Sequence, residues 1–123
     1  MRGASKQMLH PGIAKKVTIH LNEDTASKQD FLYNEIFSFL RSWGVAGASL
    51  IRPDAGFGSH HHVHRKDFGH AAGEHMPVRI EFIESLENVE KLLPKLCDLL
   101  SDGLIEAHDT TVYKSAAKQE API

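Results

Sequence analysis

The sequence predicts an α+β domain whose strands and helices follow the order βαββαβ. Two segments have apolar residues at helical spacing, and each lies between segments that show the alternation or the short apolar runs of strands. A long segment with neither pattern separates the second strand from the third. Together these three observations favour one small domain with a single sheet, two helices and one long loop.

The first predicted strand spans Lys16–Leu21, where apolar and polar residues alternate. One side of it carries three apolar side chains, Val17, Ile19 and Leu21. A period of two is typical of a strand that buries one face and exposes the other. We therefore expect this strand to cover the core with its apolar side.

The first helix is predicted from about Lys28 to Trp43. Its apolar residues recur at helical spacing: Leu32, Ile36, Phe39, Leu40 and Trp43. Ser27 is expected to cap its start, with Asp30 in the first turn, where the helix dipole favours a carboxylate. Gly44 follows at the position where helices commonly end.

The second strand is predicted over Val45–Arg52, a partly β-branched apolar run that ends at Pro53. The segment Pro53–Met76 then shows neither helical nor strand period, and it is rich in glycine and histidine. A structureless stretch of this length is uncommon inside a compact domain. We interpret it as a long functional loop, with a disordered insert as the alternative.

The third predicted strand, Val78–Ile83, follows Pro77 and again alternates. Ser85 lies at the expected N-cap of a second helix. Leucine dominates the apolar stripe of that helix: Leu86, Val89, Leu92, Leu93, Leu96, Leu99 and Leu100. Pro94 is expected to kink this helix or to divide it into two segments, because an interior proline costs about 3 kcal/mol.

Asp102-Gly103 is expected to end the second helix, and Leu104–Lys114 is predicted as the last strand. Two right-handed βαβ units in this order form an antiparallel four-stranded sheet with both helices on one face, the ferredoxin-like arrangement. Residues 15–114 are expected to form the domain, with tails at 1–14 and 115–123. The other sheet face needs a cover, and we expect copies of the chain to associate across it.

Composition excludes several classes of function. The 123 residues suffice for one core, and 14 basic against 16 acidic side chains give a formal charge of −2. No positive field therefore indicates nucleic acid or an anionic membrane as a partner. A single cysteine, Cys97, and the lack of a secretory signal pattern favour the cytoplasm. Cys97 itself is interpreted as a small buried hydrophobic residue.

No spacing in the sequence pairs a nucleophile with a base, so we predict that the chain is not an enzyme. Carboxylates near the loops, such as Glu23 and Asp54, have no spacing that distinguishes them from solvated ones. His20 and His108 are expected on outer strands, as surface or interface residues. A small enzyme of the same fold would need a pocket that pairs a histidine with a carboxylate.

A series of short motifs extends along the chain in a fixed order. The series is Gly44-Val-Ala-Gly-Ala-Ser-Leu50, Arg52, Gly56-Phe57-Gly58, His64, Pro77-Val78, Leu93-Pro94 and Asp102-Gly103-Leu104-Ile105. It covers about residues 15–114 and resembles the domain-of-unknown-function family 190, a group of PII-like proteins. The segment Gly44–Gly58 is also similar to the stretch by which PII signalling proteins enter their long loop.

The resemblance implies a homotrimer with ligand sites in the clefts between subunits, at the base of the loop. Proteins of the PII group bind adenine nucleotides there and change the loop, which alters contact with a transporter or an enzyme. The implied ligand-binding residues are Arg52, Gly56, Phe57, Gly58 and Gly103. Glycine lets backbone amides approach a phosphate, and a guanidinium suits bidentate contact with it. In the alternative interpretation, the glycines allow turns and Arg52 is a solvated strand end.

The turn at Gly103 departs from the PII pattern. It keeps Asp102-Gly103 but offers no lysine to hold phosphates. A triphosphate is therefore harder to reconcile with these residues than a nucleotide with fewer phosphates or another small anion.

The histidine-rich part of the loop supports a different hypothesis. His60, His62 and His64 share one side of an extended chain, and His70 and His75 follow. Neutral imidazoles suit Zn, Cu or Ni, so these five residues are candidate metal ligands. The alternatives are a polar loop that binds added metal weakly and a sensor of pH.

Two main function hypotheses follow. In the first, a PII-like sensor binds a small anionic ligand such as an adenine nucleotide and controls a partner, a membrane transporter or channel, through its loop. In the second, the chain is a trimeric divalent-metal-binding protein that uses the histidines.

Overall fold

The computed structural model describes residues 9–57 and 76–117, together with the backbone of 64–65. Eight elements follow one another along the chain: β1 (Gly12–Asn22), α1 (Leu32–Ser42), β2 (Ser49–Ile51), β3 (Ala55–Gly56), β4 (His64–Arg65), β5 (Pro77–Glu84), α2 (Leu86–Leu99) and β6 (Leu104–Val112). None of the helices in these described ranges is both long enough and apolar enough to span a membrane.

The main sheet has four strands in the order β2-β5-β1-β6, and every neighbouring pair is antiparallel. Its register brings the apolar sides of the strands together, since Ile19 on β1 faces Ile80 on β5 and Ile105 on β6. This order is the one that two βαβ units produce when their strands interleave. The predicted ferredoxin-like βαββαβ class is confirmed.

One apolar core lies between the sheet and the two helices. The strands contribute alternate residues and the helices contribute residues at helical spacing: Val17, Ile19, Leu21, Leu32, Ile36, Leu40, Val78, Ile80, Phe82, Val89, Leu92 and Leu96. Each of these side chains is at most 5% exposed. The apolar face of the strands, with a period of two, and the apolar faces of the helices, with a period of 3.6, thus pack against each other in one core.

The start of α1 differs from its prediction. The helix begins at Leu32, not at Lys28, and Phe31 is its N-cap residue. Ser27 does not cap it: its backbone N–H donates to the Asp30 carbonyl, and its hydroxyl donates to the Glu35 carboxylate. Asp30 lies just before the helix and accepts the Phe31 N–H. Local hydrogen bonds between side chains and backbone thus compete with the first predicted turn.

Helix α2 follows the prediction at its start. The Ser85 hydroxyl accepts the Asn88 N–H at 3.2 Å, which satisfies one of the free donors of the first turn. Pro94 lies inside one continuous helix, so the predicted alternative of two segments is wrong. Pro94 is on the exposed side, where water can reach the carbonyl that lacks its helical partner.

Replacing Ser85 with alanine is expected to destabilise the domain by about 1 kcal/mol, because the cap hydrogen bond is lost. The free energy of unfolding in urea measures this. Ser38→Ala is the matched control, since Ser38 is exposed within α1 and alanine is the better helix former. An equal loss in both variants would contradict a capping role for Ser85.

Strand bounds also differ in places. β1 begins at Gly12 instead of Lys16, β6 ends at Val112, and β2 is restricted to Ser49–Ile51. The loop after Arg52 is not free of strand structure, because β3 pairs with β4. Such a two-residue pairing is set by the backbone and leaves no alternation for the sequence to show.

Two further predictions about single residues are wrong. Cys97 is exposed, because it lies on the outer side of α2 next to the buried Leu96. His20 does not lie on an outer strand: β1 is inside the sheet, between β5 and β6. His20 faces away from the helices and its Nε2 is 2.7 Å from the Glu106 carboxylate.

Candidate ligand site at the base of the loop

Three strand ends meet where the long loop leaves and rejoins the sheet. Asn22 at the end of β1 pairs with Pro77 at the start of β5, and the Glu23 N–H donates to the Met76 carbonyl at 2.8 Å. Arg52 directly follows β2, whose Ile51 pairs with Arg79 of β5. We call the residues Glu23, Arg52, Gly56, Met76 and Pro77 the loop base.

A bidentate ion pair occupies the loop base. The Arg52 Nε donates to one Glu23 carboxylate oxygen at 3.0 Å, and its Nη2 donates to the other at 2.8 Å. The Glu23 side chain is 17% exposed and that of Arg52 is 51% exposed. The fork geometry orients the guanidinium while half of its surface stays open to solvent.

Glu23 also affects the titration of Arg52. Its hydrogen bond, opposed by a little desolvation, raises the pKa of the guanidinium further above its ordinary value, and the negative charge of Glu23 acts in the same direction. A raised pKa of a basic group stabilises the folded state below its unfolded pKa and loses that effect only as the pH rises through the folded one. Arg52 therefore stays charged throughout the neutral range and adds no pH dependence there.

Gly56 is positioned by close packing. It lies in β3, and a Cβ placed on it would be 3.0 Å from the Cγ of Pro77. The neighbouring Phe57 side chain is 60% exposed. Both predicted residues thus lie at the loop base, Arg52 against Glu23 and Gly56 against Pro77. Phe57 follows Gly56 in sequence, and Gly58 lies outside the described residues.

Gly103 has a different environment. It has a φ of +144°, and a Cβ on it would overlap the backbone carbonyl oxygen of His20. It precedes β6, which forms the edge of the sheet opposite to β2. Strands of one sheet are about 4.8 Å apart, so β2 and β6 are separated by about 14 Å. Within one chain the structure does not place Gly103 beside Arg52.

The candidate metal ligands are mostly beyond the described residues. His60, His62, His70 and His75 lie outside them, and of His64 only the backbone is described, where it pairs with Gly56. Within the described ranges no cluster of three or more His, Cys, Asp or Glu side chains could hold a metal. The histidine site therefore stays a prediction.

Sequence reasoning missed the role of Glu23. It treated this residue as one of several loop carboxylates, because Glu23 and Arg52 are separated by the whole of α1 and β2. The available signal was positional, since each residue comes just after a strand that pairs with β5. An aromatic pair, Phe31 and Tyr33, stacked with ring centroids 5.7 Å apart, was also not predicted.

The chain is similar to known proteins over most of its length. Residues 14–112 match the model of the family DUF190, described as an uncharacterized ACR. A UPF0166 protein of Methanocaldococcus jannaschii is 30% identical over 102 residues, which cover 82% of this chain and 93% of that protein.

Solved structures with similar folds include two PII-like proteins. One is CPII of Thiomonas intermedia K12, a nitrogen regulatory PII-like protein whose structure contains ADP, AMP and bicarbonate. The TM-score with CPII is 0.64 at 19% sequence identity, and the match covers 89% of this chain and 94% of CPII. The other, from Thermus thermophilus, is described as a PII-like signalling protein, with a TM-score of 0.56 and 17% identity over 85% of this chain and 94% of that one. The chain therefore belongs to the DUF190 family and has the fold of the PII-like proteins.

Proposed function

We propose that this protein is a non-catalytic, PII-like regulator that binds a small anionic ligand, an adenine nucleotide, at the loop base. The observation that supports this most directly is Arg52, a guanidinium oriented at the start of the long loop with half of its side chain open to solvent. Guanidinium groups suit phosphate, which they can bind in a bidentate manner. The similar fold of CPII, which binds ADP, AMP and bicarbonate, supports the same ligand class.

The proposed assembly is a homotrimer with its ligand sites between subunits. The sheet face that the helices leave open carries charges of both signs, with Lys16 and Arg79 each contacting Glu81 and His20 contacting Glu106. Such a mixed face is suited to another copy of itself. In a cleft between subunits, Arg52 of one chain and Gly103 of another can approach one ligand, although a single chain separates them.

In this proposal, the ligand acts on the loop and the loop acts on a partner. Arg52 directly precedes the loop and Met76 ends it. A ligand at the loop base therefore lies next to both ends of the loop, whose conformation is proposed to change. The proposed partner is a membrane transporter or channel. Co-precipitation of such a partner with and without nucleotide tests this step separately from binding.

Calorimetry with AMP, ADP, ATP and bicarbonate on the purified protein tests ligand binding. We expect saturable binding of at least one nucleotide, one per subunit, and weaker binding of ATP, since the turn at Gly103 offers no lysine for a third phosphate. Light scattering should give a mass three times the 13.7 kDa of one chain. A monomer that binds none of these compounds would contradict the proposal.

A further inference from the structure

The ion pair at the loop base occupies the edge of Arg52 that an anion would use. Both Nε and Nη2 already donate to the Glu23 carboxylate, at 3.0 and 2.8 Å. A phosphate that approaches the same edge must displace these two hydrogen bonds. A phosphate that approaches the remaining edge would come within a few ångströms of the Glu23 charge, where like charges repel.

The charge of Glu23 acts against the binding of an anion at Arg52. Its carboxylate lies within hydrogen-bonding distance of both the Nε and the Nη2 of the guanidinium. With Glu23 paired to it, the guanidinium is electrically neutralised. Arg52 therefore attracts an anion less strongly while the pair is closed than when it is open.

Glu23 also joins the two ends of the loop. Its side chain holds Arg52, where the loop begins, and its backbone N–H donates to the carbonyl of Met76, where the loop ends. Its carboxylate is largely enclosed, at 17% exposure, so it is held in one position. A change at Glu23 thus affects hydrogen bonds at both ends of the loop.

We propose that the Glu23 carboxylate competes with the anionic ligand for the Arg52 guanidinium. Glu23 pairs with Arg52 when no ligand is bound, lowers the affinity for the ligand, and is released from Arg52 when the ligand binds. This inference rests on the proposed function, and it adds how the affinity for the ligand is regulated. Release of Glu23 removes the side-chain tie between the end of β1 and the start of the loop. Ligand binding in this way allows Arg52, at the start of the loop, to move relative to the end of β1.

The test is calorimetry with ADP on wild-type protein, Glu23→Gln, Arg52→Gln and the double variant Arg52→Gln/Glu23→Gln. Glu23→Gln removes the competing charge and keeps the shape, so ADP should bind about two- to fivefold more tightly, in keeping with the strength of exposed ion pairs. With Arg52 already replaced, the change at Glu23 should give no such gain. Glu87→Gln is the matched control, because Glu87 is a carboxylate in an ion pair on the distant surface of α2.

Amide hydrogen exchange without ligand gives a second measurement. Glu23→Gln should speed exchange of the residue 23 amide, which bonds Met76, whereas Glu87→Gln should not. Tighter ADP binding together with faster exchange supports the proposal. If wild type binds ADP and Glu23→Gln leaves binding unchanged or weakens it, Glu23 positions Arg52 and the competitor role is wrong. Absence of binding in both proteins would overturn the proposed function and this inference together.

Discussion

Replacing Gly103 with alanine is expected to lower the free energy of unfolding by about 3 kcal/mol, the largest loss that we predict for a single methyl group. Two costs combine at this position. A φ of +144° is strained for any residue with a Cβ, and the added carbon would overlap the His20 carbonyl oxygen. Because that oxygen belongs to the backbone of the interior strand β1, it cannot move aside without disturbing the sheet.

Two other glycines separate these costs. Gly12 has a φ of +125° but no atom within 4 Å of an added Cβ, so Gly12→Ala should show backbone strain alone. Gly47 has open space and no such φ, so Gly47→Ala should be neutral or slightly stabilising. Urea unfolding of the three variants measures the difference. A loss at Gly103 no larger than that at Gly12 would contradict the predicted clash with His20.

The same measurement tests the structural role of Gly103. The resemblance to PII-like proteins implied that this residue binds ligand, and the structure supplies a purely structural reason for glycine at the position. If Gly103→Ala unfolds the domain, its effect on ligand binding carries no separate information. A role in binding is better tested at Asp102, which precedes it.

Replacing Arg52 with glutamine is expected to weaken nucleotide binding about 10- to 100-fold, the range for loss of hydrogen bonds to a charged group. Glutamine keeps a polar side chain but has neither the charge nor the bidentate fork. Titration calorimetry with ADP measures the affinity. The fold should tolerate the change, since the Arg52 side chain is 51% exposed.

Arg41→Gln is the control for Arg52→Gln. Arg41 is an exposed arginine in the last turn of α1 and not part of the loop base, so its replacement should leave ADP affinity unchanged. Urea midpoints of both variants should stay near that of wild type. An equal loss of affinity in the two variants would mean a general charge effect, and no loss at Arg52 would place the ligand elsewhere.

The strongly periodic segments were predicted best. Val17, Ile19 and Leu21 of β1 and Leu92 and Leu96 of α2 face the core as expected, because a residue on the wrong side would leave apolar surface in water. Leu86, which was predicted to belong to the same stripe, is 46% exposed because it lies in the first turn of α2, at the end of the core. The ends of elements were predicted less well. Ser27 and Asp30 satisfy backbone groups locally, so α1 begins at Leu32. Short polar side chains offer several such partners, and spacing alone does not rank them.

The candidate site was predicted in part. The motif at Arg52 and Gly56 indicated the end of the sheet where the loop base lies, because both residues follow the second predicted strand; that a ligand binds there stays a prediction. The partner of Arg52 was not found, since Glu23 is remote in sequence and a carboxylate after a strand has no distinctive pattern. Gly103 was assigned to the ligand by resemblance, although its contact with His20 gives it a structural role.

The sequence by itself determined the class of fold, the family and the sides of the strands and helices that form the core. These follow from local periodicity and from motifs in a fixed order, which need no knowledge of distant contacts. Only the tertiary structure decided that Glu23 neutralises Arg52 and that Gly103 presses against β1. Both facts depend on strand order and register, which bring residues far apart in the chain to within hydrogen-bonding or van der Waals distance.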